Sequence, residues 1–266
     1  MNLNETRMPA GGRSGPEPNI DGTQAIRRAA AVLRCVGQSD SRGSGLAAIA
    51  QALRLPRSTT HRILKCLVEE GLLKHEQDKR RYVIGRLTYE LGLAVTDEAL
   101  DVAQWRGAVD NVARRTGVTA YLMSRSGIEA TCVLKTEGYA VIRVIPVEVG
   151  QRRFLGVGAG STALLAALDQ DTSERIIRTI APLLGGYPGL NENVIRRIVA
   201  EARKTGFAIS RSNVVKDVVG IGMAIPNAEG TPFLALSIAA LASQTDSRKL
   251  DDWKRIIREE IEALAS

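Results

Sequence analysis

Apolar residues recur at helical spacing through Leu46, Ile49, Ala50 and Leu53, stop at Leu55-Pro56, and resume through Ile63, Leu64, Leu67 and Val68. Each set covers one face of a helix and leaves the opposite face polar. Proline ends the first helix because it lacks an N–H and turns its predecessor out of the α region. Ser58 is placed to cap the second helix, which stops at Gly71. Leu72-Leu73-Lys74 and Arg81-Tyr82-Val83-Ile84 then predict two short strands joined through residues 76–80. Residues 45–85 thus read as helix, tight turn, helix and hairpin, the order of a winged helix-turn-helix.

The flanking segments extend the pattern. Residues 1–21 carry Pro, Gly, Asn and Ser with little apolar content, which predicts a disordered leader. A helix is expected over 23–38, with Ile26, Ala29, Ala30, Leu33 and Val36 as its buried stripe. Further helices are expected over 87–95 and 100–116. The expected domains are therefore 22–86 for the winged unit, 87–99 for a linker helix and 100–266 for a second domain. In this second domain strands are predicted over 118–124, 130–136, 141–145, 207–212, 218–226 and 232–240. Helices are predicted over 162–168, 174–180, 191–204 and 248–264. Six strands with helices between and after them make an α+β domain, a mainly antiparallel sheet with helices on one side.

Composition sharpens this picture. A chain of 266 residues is long enough for two cores, and 44% apolar with 24% charged residues excludes wholesale disorder. No run of about 18 apolar residues and no signal pattern occurs, so a cytoplasmic protein without a membrane partner is expected. Residues 1–86 hold 15 Lys+Arg against 8 Asp+Glu, whereas the remaining 180 residues are balanced at 21 against 21. The basic excess thus lies with the expected reading head, as attraction to double-stranded DNA requires. Three cysteines without paired spacing point to reduced thiols rather than a disulfide framework or zinc knuckle.

The start of the second helix carries Arg57, Ser58, Thr59, Thr60, His61, Arg62 and Lys65 on its outward face. Arg57, Thr59, Thr60 and Arg62 are the candidates for base contacts, Ser58 and Lys65 for phosphate. Lys79, Arg80 and Arg81 would grip the backbone from the wing. One winged helix covers few base pairs, so at least a dimer on a partly palindromic site is expected.

The glycines of Gly156-Val157-Gly158-Ala159-Gly160-Ser161 lack dinucleotide-binding spacing. They suit backbone N–H groups approaching a small ligand at a helix start, where the helix dipole favours an anion. The only two histidines, His61 and His75, both lie in the basic unit, and no nucleophile elbow or metal-ligand spacing occurs. No enzyme activity, cofactor or metal is expected.

LAAIAQALRLPRSTTHRILKCLVEEGLL followed by RYVIGRLTYELG resembles the IclR family of bacterial transcriptional regulators. So do RRFLGVGAGSTALLAAL, KTGFAISRSNVVKDVVGIGMAIPN and FLALSIAAL, and the likeness runs from about residue 23 to 264. The resemblance implies a winged-helix domain, a linker helix and a GAF-like effector-binding domain in a homodimer or homotetramer. It implies pocket walls from Met123, Leu155, Gly156, Val157, Gly158, Ala159, Gly160, Ser161, Ser212, Asn213, Gly222, Ser237 and Ala239. Ser and Asn replace the family's acidic position near 210–213, and Gly222 stands where Cys is common. The implied pocket is less acidic and carries fewer thiols, suiting a carboxylic acid with an apolar or aromatic body. Arg152 and Arg153 read first as solvated surface arginines, with charge at the pocket rim as the other reading. Two rivals stay open: an enzyme with an appended DNA-binding head, and a DNA-architectural protein without a ligand.

Overall fold

A computed structural model of the chain describes residues 21–39, 43–94, 102–140, 144–227 and 230–265. Of the expected leader, residues 1–20 lie outside the described residues and Asp21 begins the first helix. The chain divides into two compact units, one of residues 1–36 and 41–88, the other of residues 37–40 and 89–266.

The first unit contains α1 (Asp21–Gly37), α2 (Leu46–Ala52), α3 (Arg57–Glu69), β1 (Leu73–Glu76) and β2 (Arg81–Ile84). Its core is Val32, Val36, Ile49, Leu64, Leu67, Leu73 and Tyr82. The stripe on α1 differs from expectation, because Val32 and Val36 form its centre and Ile26 is 70% exposed. Ile26 instead flanks an open groove between α1 and α3. The strands pair antiparallel from Leu73 opposite Ile84 to Glu76 opposite Arg81. A Cβ on Gly85 would lie 2.2 Å from the Gly71 carbonyl oxygen, so only glycine lets the end of the wing pass the end of α3. Helix α4 (Arg86–Leu93) follows, its first turn tied down where the Thr88 hydroxyl donates to the Leu72 carbonyl at 2.9 Å.

The second unit opens with α5 (Arg106–Thr116), which ends at Gly117 in the left-handed conformation. The expected helix over 100–116 is thus shorter: residues 100 and 101 lie outside the described residues, and 102–105 form turns. Six strands follow in one antiparallel sheet: β3 (Thr119–Ser126), β4 (Glu129–Thr136), β5 (Arg152–Phe154), β6 (Ala208–Arg211), β7 (Val218–Ala224) and β8 (Leu234–Leu241). Their spatial order is β5-β4-β3-β8-β7-β6. Of the strand expected over 141–145, residues 141–143 are not described and Val144 and Ile145 are irregular. The sheet takes β5 instead, which continues beside β4.

Helices cover both faces of this sheet, not one. Helices α6 (Ala159–Ala166), α7 (Gln170–Ile180) and α8 (Glu192–Thr205) bury Leu164, Ile177 and Ile195 against the face carrying Tyr121, Met123 and Ala239. On the other face, α5 and α9 (Ser247–Ala265) bury Val109, Val112, Trp253 and Ile257 against Leu122, Ile221 and Leu236. Arg115 joins the two helices by pairing with Glu259 and, at 2.8 Å, with Glu260. Among the described residues no helix is long and apolar enough to cross a membrane.

Candidate functional site

The reading unit exposes one polar helix face. Arg57, Ser58, His61, Arg62 and Lys65 are exposed along α3, and Thr59 is half-buried. Two expectations for this helix are corrected. Thr60 has no exposed surface, because it shares a face with Leu64 and Leu67; its hydroxyl donates to the Pro56 carbonyl at 3.1 Å. It holds the helix start and does not reach a base. Ser58 caps nothing, since α3 begins at Arg57 behind Pro56. In the wing, Arg81 is directed inward, donating to the Gly43 carbonyl at 2.9 Å, so it braces the hairpin rather than a DNA backbone. Lys79 pairs with Glu76 at 3.1 Å. Arg80 is exposed at the tip with φ +51°; its backbone N–H donates to the Gln77 carbonyl at 3.1 Å, and its guanidinium has no partner among the described residues.

The second unit has a partly open cavity on the α6 face of the sheet. Met123, Val157, Gly158, Ala159, Gly160, Ser161, Ser237 and Ala239 line it, as the sequence implied. Leu155 and Gly156 do not: Leu155 is fully buried, and Gly156 backs onto Ile195 and Leu165. Ser212 and Asn213 belong to the turn above. Ser212 has φ +53°, and the Asn213 side chain donates to the Gly189 carbonyl at 3.2 Å. Gly222 also lies outside the lining, because the backbone of Ala159 and Gly160 fills the space its side chain would occupy. The wall includes residues that sequence reasoning missed, among them Tyr121, Ser210, Val215, Val218 and Gly220. Strand alternation is the signal for several, since Tyr121, Ser210, Gly220 and Ser237 all point to one face.

Glycines and small residues shape this cavity. Gly220 and Gly222 let α6 approach the sheet so closely that a Cβ on Gly222 would meet the Ala159 carbonyl carbon at 2.7 Å. Gly158, with φ +91°, turns the chain into α6. The first N–H groups of a helix have no intrahelical acceptor, and Gly158, Ala159 and Gly160 at this helix start line the cavity. Arg153 enters the cavity, whereas its neighbour Arg152 pairs with Glu129 at 2.9 Å. Arg153 donates to the Tyr187 hydroxyl at 3.0 Å and to the Pro146 carbonyl. Among the described residues, none that lines it is Asp or Glu. Burial raises the pKa of the Tyr121 phenol above its ordinary value, so it stays neutral. Cys132, in the adjoining core, is pushed up to about 12 by burial and remains a thiol.

A winged helix-turn-helix followed in the chain by an α+β unit with a cavity of its own is the make-up of a two-domain transcriptional regulator. The comparisons agree. The family model for the bacterial transcriptional regulator IclR C-terminal domain matches residues 97–265, and that for the IclR helix-turn-helix domain matches residues 25–77. The chain belongs to the IclR family of bacterial transcriptional regulators. It is 26% identical over 252 residues to the HTH-type transcriptional repressor AllR of Klebsiella pneumoniae, covering 93% of this chain and 92% of that one. Its fold is similar to an IclR transcriptional regulator from Alicyclobacillus acidocaldarius, with a TM-score of 0.75 at 24% identity over 91% of this chain and 97% of that one. An IclR homologue from Microbacterium hydrocarbonoxydans, solved in complex with 4-hydroxybenzoate, gives 0.71 at 20% identity over 90% and 97%.

Proposed function

We propose that this regulator binds a partly palindromic DNA operator as a homodimer or homotetramer. A small carboxylic acid with an apolar or aromatic body, held in the second unit's cavity, sets its affinity for that operator. The observation that carries the acid is the charge pattern of the cavity: a helix start and Arg153 on a largely apolar wall, without a carboxylate. Burying an anion is costly unless donors receive it, and here the donors are concentrated while the rest of the wall takes apolar surface. The neighbour that holds 4-hydroxybenzoate carries an acid of this class. On the DNA side, the exposed Arg57, His61, Arg62 and Lys65 support α3 as the reading helix. A ligand can alter operator affinity only by as much as its own affinities for the two states differ. The test is a thermal-shift screen of aromatic and aliphatic acids, repeated with their amides, followed by operator mobility shifts. Acids are expected to raise the melting temperature and change operator affinity. Equal stabilisation by the amides would refute an anion site.

A further inference from the structure

Arg153 is held at the cavity wall by groups that leave its charge intact. Its guanidinium donates to the Tyr187 hydroxyl at 3.0 Å and to the Pro146 carbonyl, and it lies 5.8 Å from the centre of the Tyr187 ring. Both acceptors are neutral. Other arginines of this unit are paired with acids: Arg152 with Glu129, Arg196 with Glu174, and Arg115 with Glu259 and Glu260. The contacts on Arg153 therefore fix the guanidinium without cancelling its charge. An arginine has five N–H donors, so others remain for a ligand.

Tyr187 is built to hold this side chain. Arg153 stands on the edge strand β5 beside Ala130, whose methyl is too short to steady it. Left unsupported, an arginine loses its rotamer freedom only when a ligand arrives, which weakens binding. Tyr187 supplies the support from the segment between α7 and α8. Its N–H donates to the Leu184 carbonyl at 2.8 Å, and its carbonyl accepts the Leu190 N–H at 2.9 Å. Leu184 and Leu190 are buried in the core of this face of the sheet, and Tyr187 packs against that core. The ring thus has little freedom, and it offers the guanidinium both an acceptor oxygen and an aromatic face. Tyr187 itself stands outside the cavity lining.

We propose that Tyr187 is a positioning residue for the ligand: by holding Arg153 at the wall, it sets the preference for a carboxylate over the matching neutral amide. This rests on the acid reading above, with Arg153 taking the carboxylate. The probes are 4-hydroxybenzoate, benzoate and pentanoate, each paired with its amide and titrated calorimetrically into full-length protein. Wild type is expected to bind at least one acid more tightly than its amide. Tyr187→Phe removes the hydroxyl but keeps the ring, so it should fold normally. It is expected to weaken that acid by about 2- to 12-fold, the range of one hydrogen bond, and to leave the amide unchanged. Arg153→Gln is expected to remove the preference. Adding Tyr187→Phe to Arg153→Gln should then change neither affinity, because the tyrosine acts only through the arginine. A Tyr187→Phe variant that keeps the acid affinity, weakens acid and amide alike, or acts undiminished on Arg153→Gln overturns the inference and leaves the acid reading standing. So does an Arg153→Gln variant that keeps the preference, which assigns the carboxylate to the start of α6. If wild type prefers no acid to its amide, the acid reading itself falls, and the role of Tyr187 with it.

Discussion

Replacing Gly222 by Ala tests how the cavity is built. The added Cβ would meet Ala159 and Gly160 backbone atoms at 2.7–2.8 Å, and no flexible side chain is there to yield. Restoring the 2.7 Å contact to the 3.4 Å of ordinary packing moves the start of α6 off the sheet by about 0.7 Å. Overpacking of this kind costs about 1–3 kcal/mol. For a unit of this size that lowers the melting temperature by about 2–12 °C. The displaced residues line the cavity, so the stabilisation given by an acid ligand should shrink as well. Operator binding by the separate first unit, measured by mobility shift well below the melting temperature, should persist. Calorimetric melting of wild type and variant, with and without 4-hydroxybenzoate, reads both effects. A variant that melts with wild type and keeps the full ligand shift would show that α6 does not rest on Gly222.

The same glycine shows where sequence reasoning stops. The reading unit was legible because its punctuation is local: Pro56 ends one helix, Gly71 ends the next, and apolar spacing marks each buried face. Even the burial of Thr60 had a signal, since Thr60, Leu64 and Leu67 fall at i, i+4 and i+7. The two-sided cover of the sheet was also readable in LALSIAAL, apolar at every position but Ser237 rather than alternating. The cavity wall was less accessible because it is assembled across strands far apart in sequence. Ser210 and Arg153 arrive from opposite edges of the sheet, and only the strand order brings both to one space. Gly222 was expected as a wall for want of the one fact that decides its role, the nearness of α6.

Four further outcomes are expected. Gly107 lies on α5 with nothing within 4 Å of the place a Cβ would take, so Gly107→Ala should stabilise by about 0.4–1 kcal/mol in thermal or urea melts. Asn191 caps α8 by accepting the Val194 N–H at 3.0 Å, and Asn191→Ala should cost about 1 kcal/mol in the same assay. Asp169 at the start of α7 accepts the Thr172 N–H at 2.8 Å, which holds its carboxyl below the ordinary range. Its contribution is full above the unfolded pKa of about 4 and fades as pH falls through the lowered folded value, so Asp169→Asn should flatten the acid limb of a melting-temperature profile. The wing arginines should separate two kinds of positive charge. Arg81 is turned to the Gly43 carbonyl, so Arg81→Ala should lower the melting temperature of the first unit with little change in the salt dependence of DNA binding. Arg80, exposed at the tip, has the geometry of a phosphate contact. Losing one such contact reduces the slope of log affinity against log salt by about 0.9. Arg80→Ala should therefore flatten that slope by about one unit for operator and random DNA alike, while the melting temperature holds. A slope change in Arg81→Ala equal to that in Arg80→Ala would mean that Arg81 leaves Gly43 for the phosphates when DNA is bound.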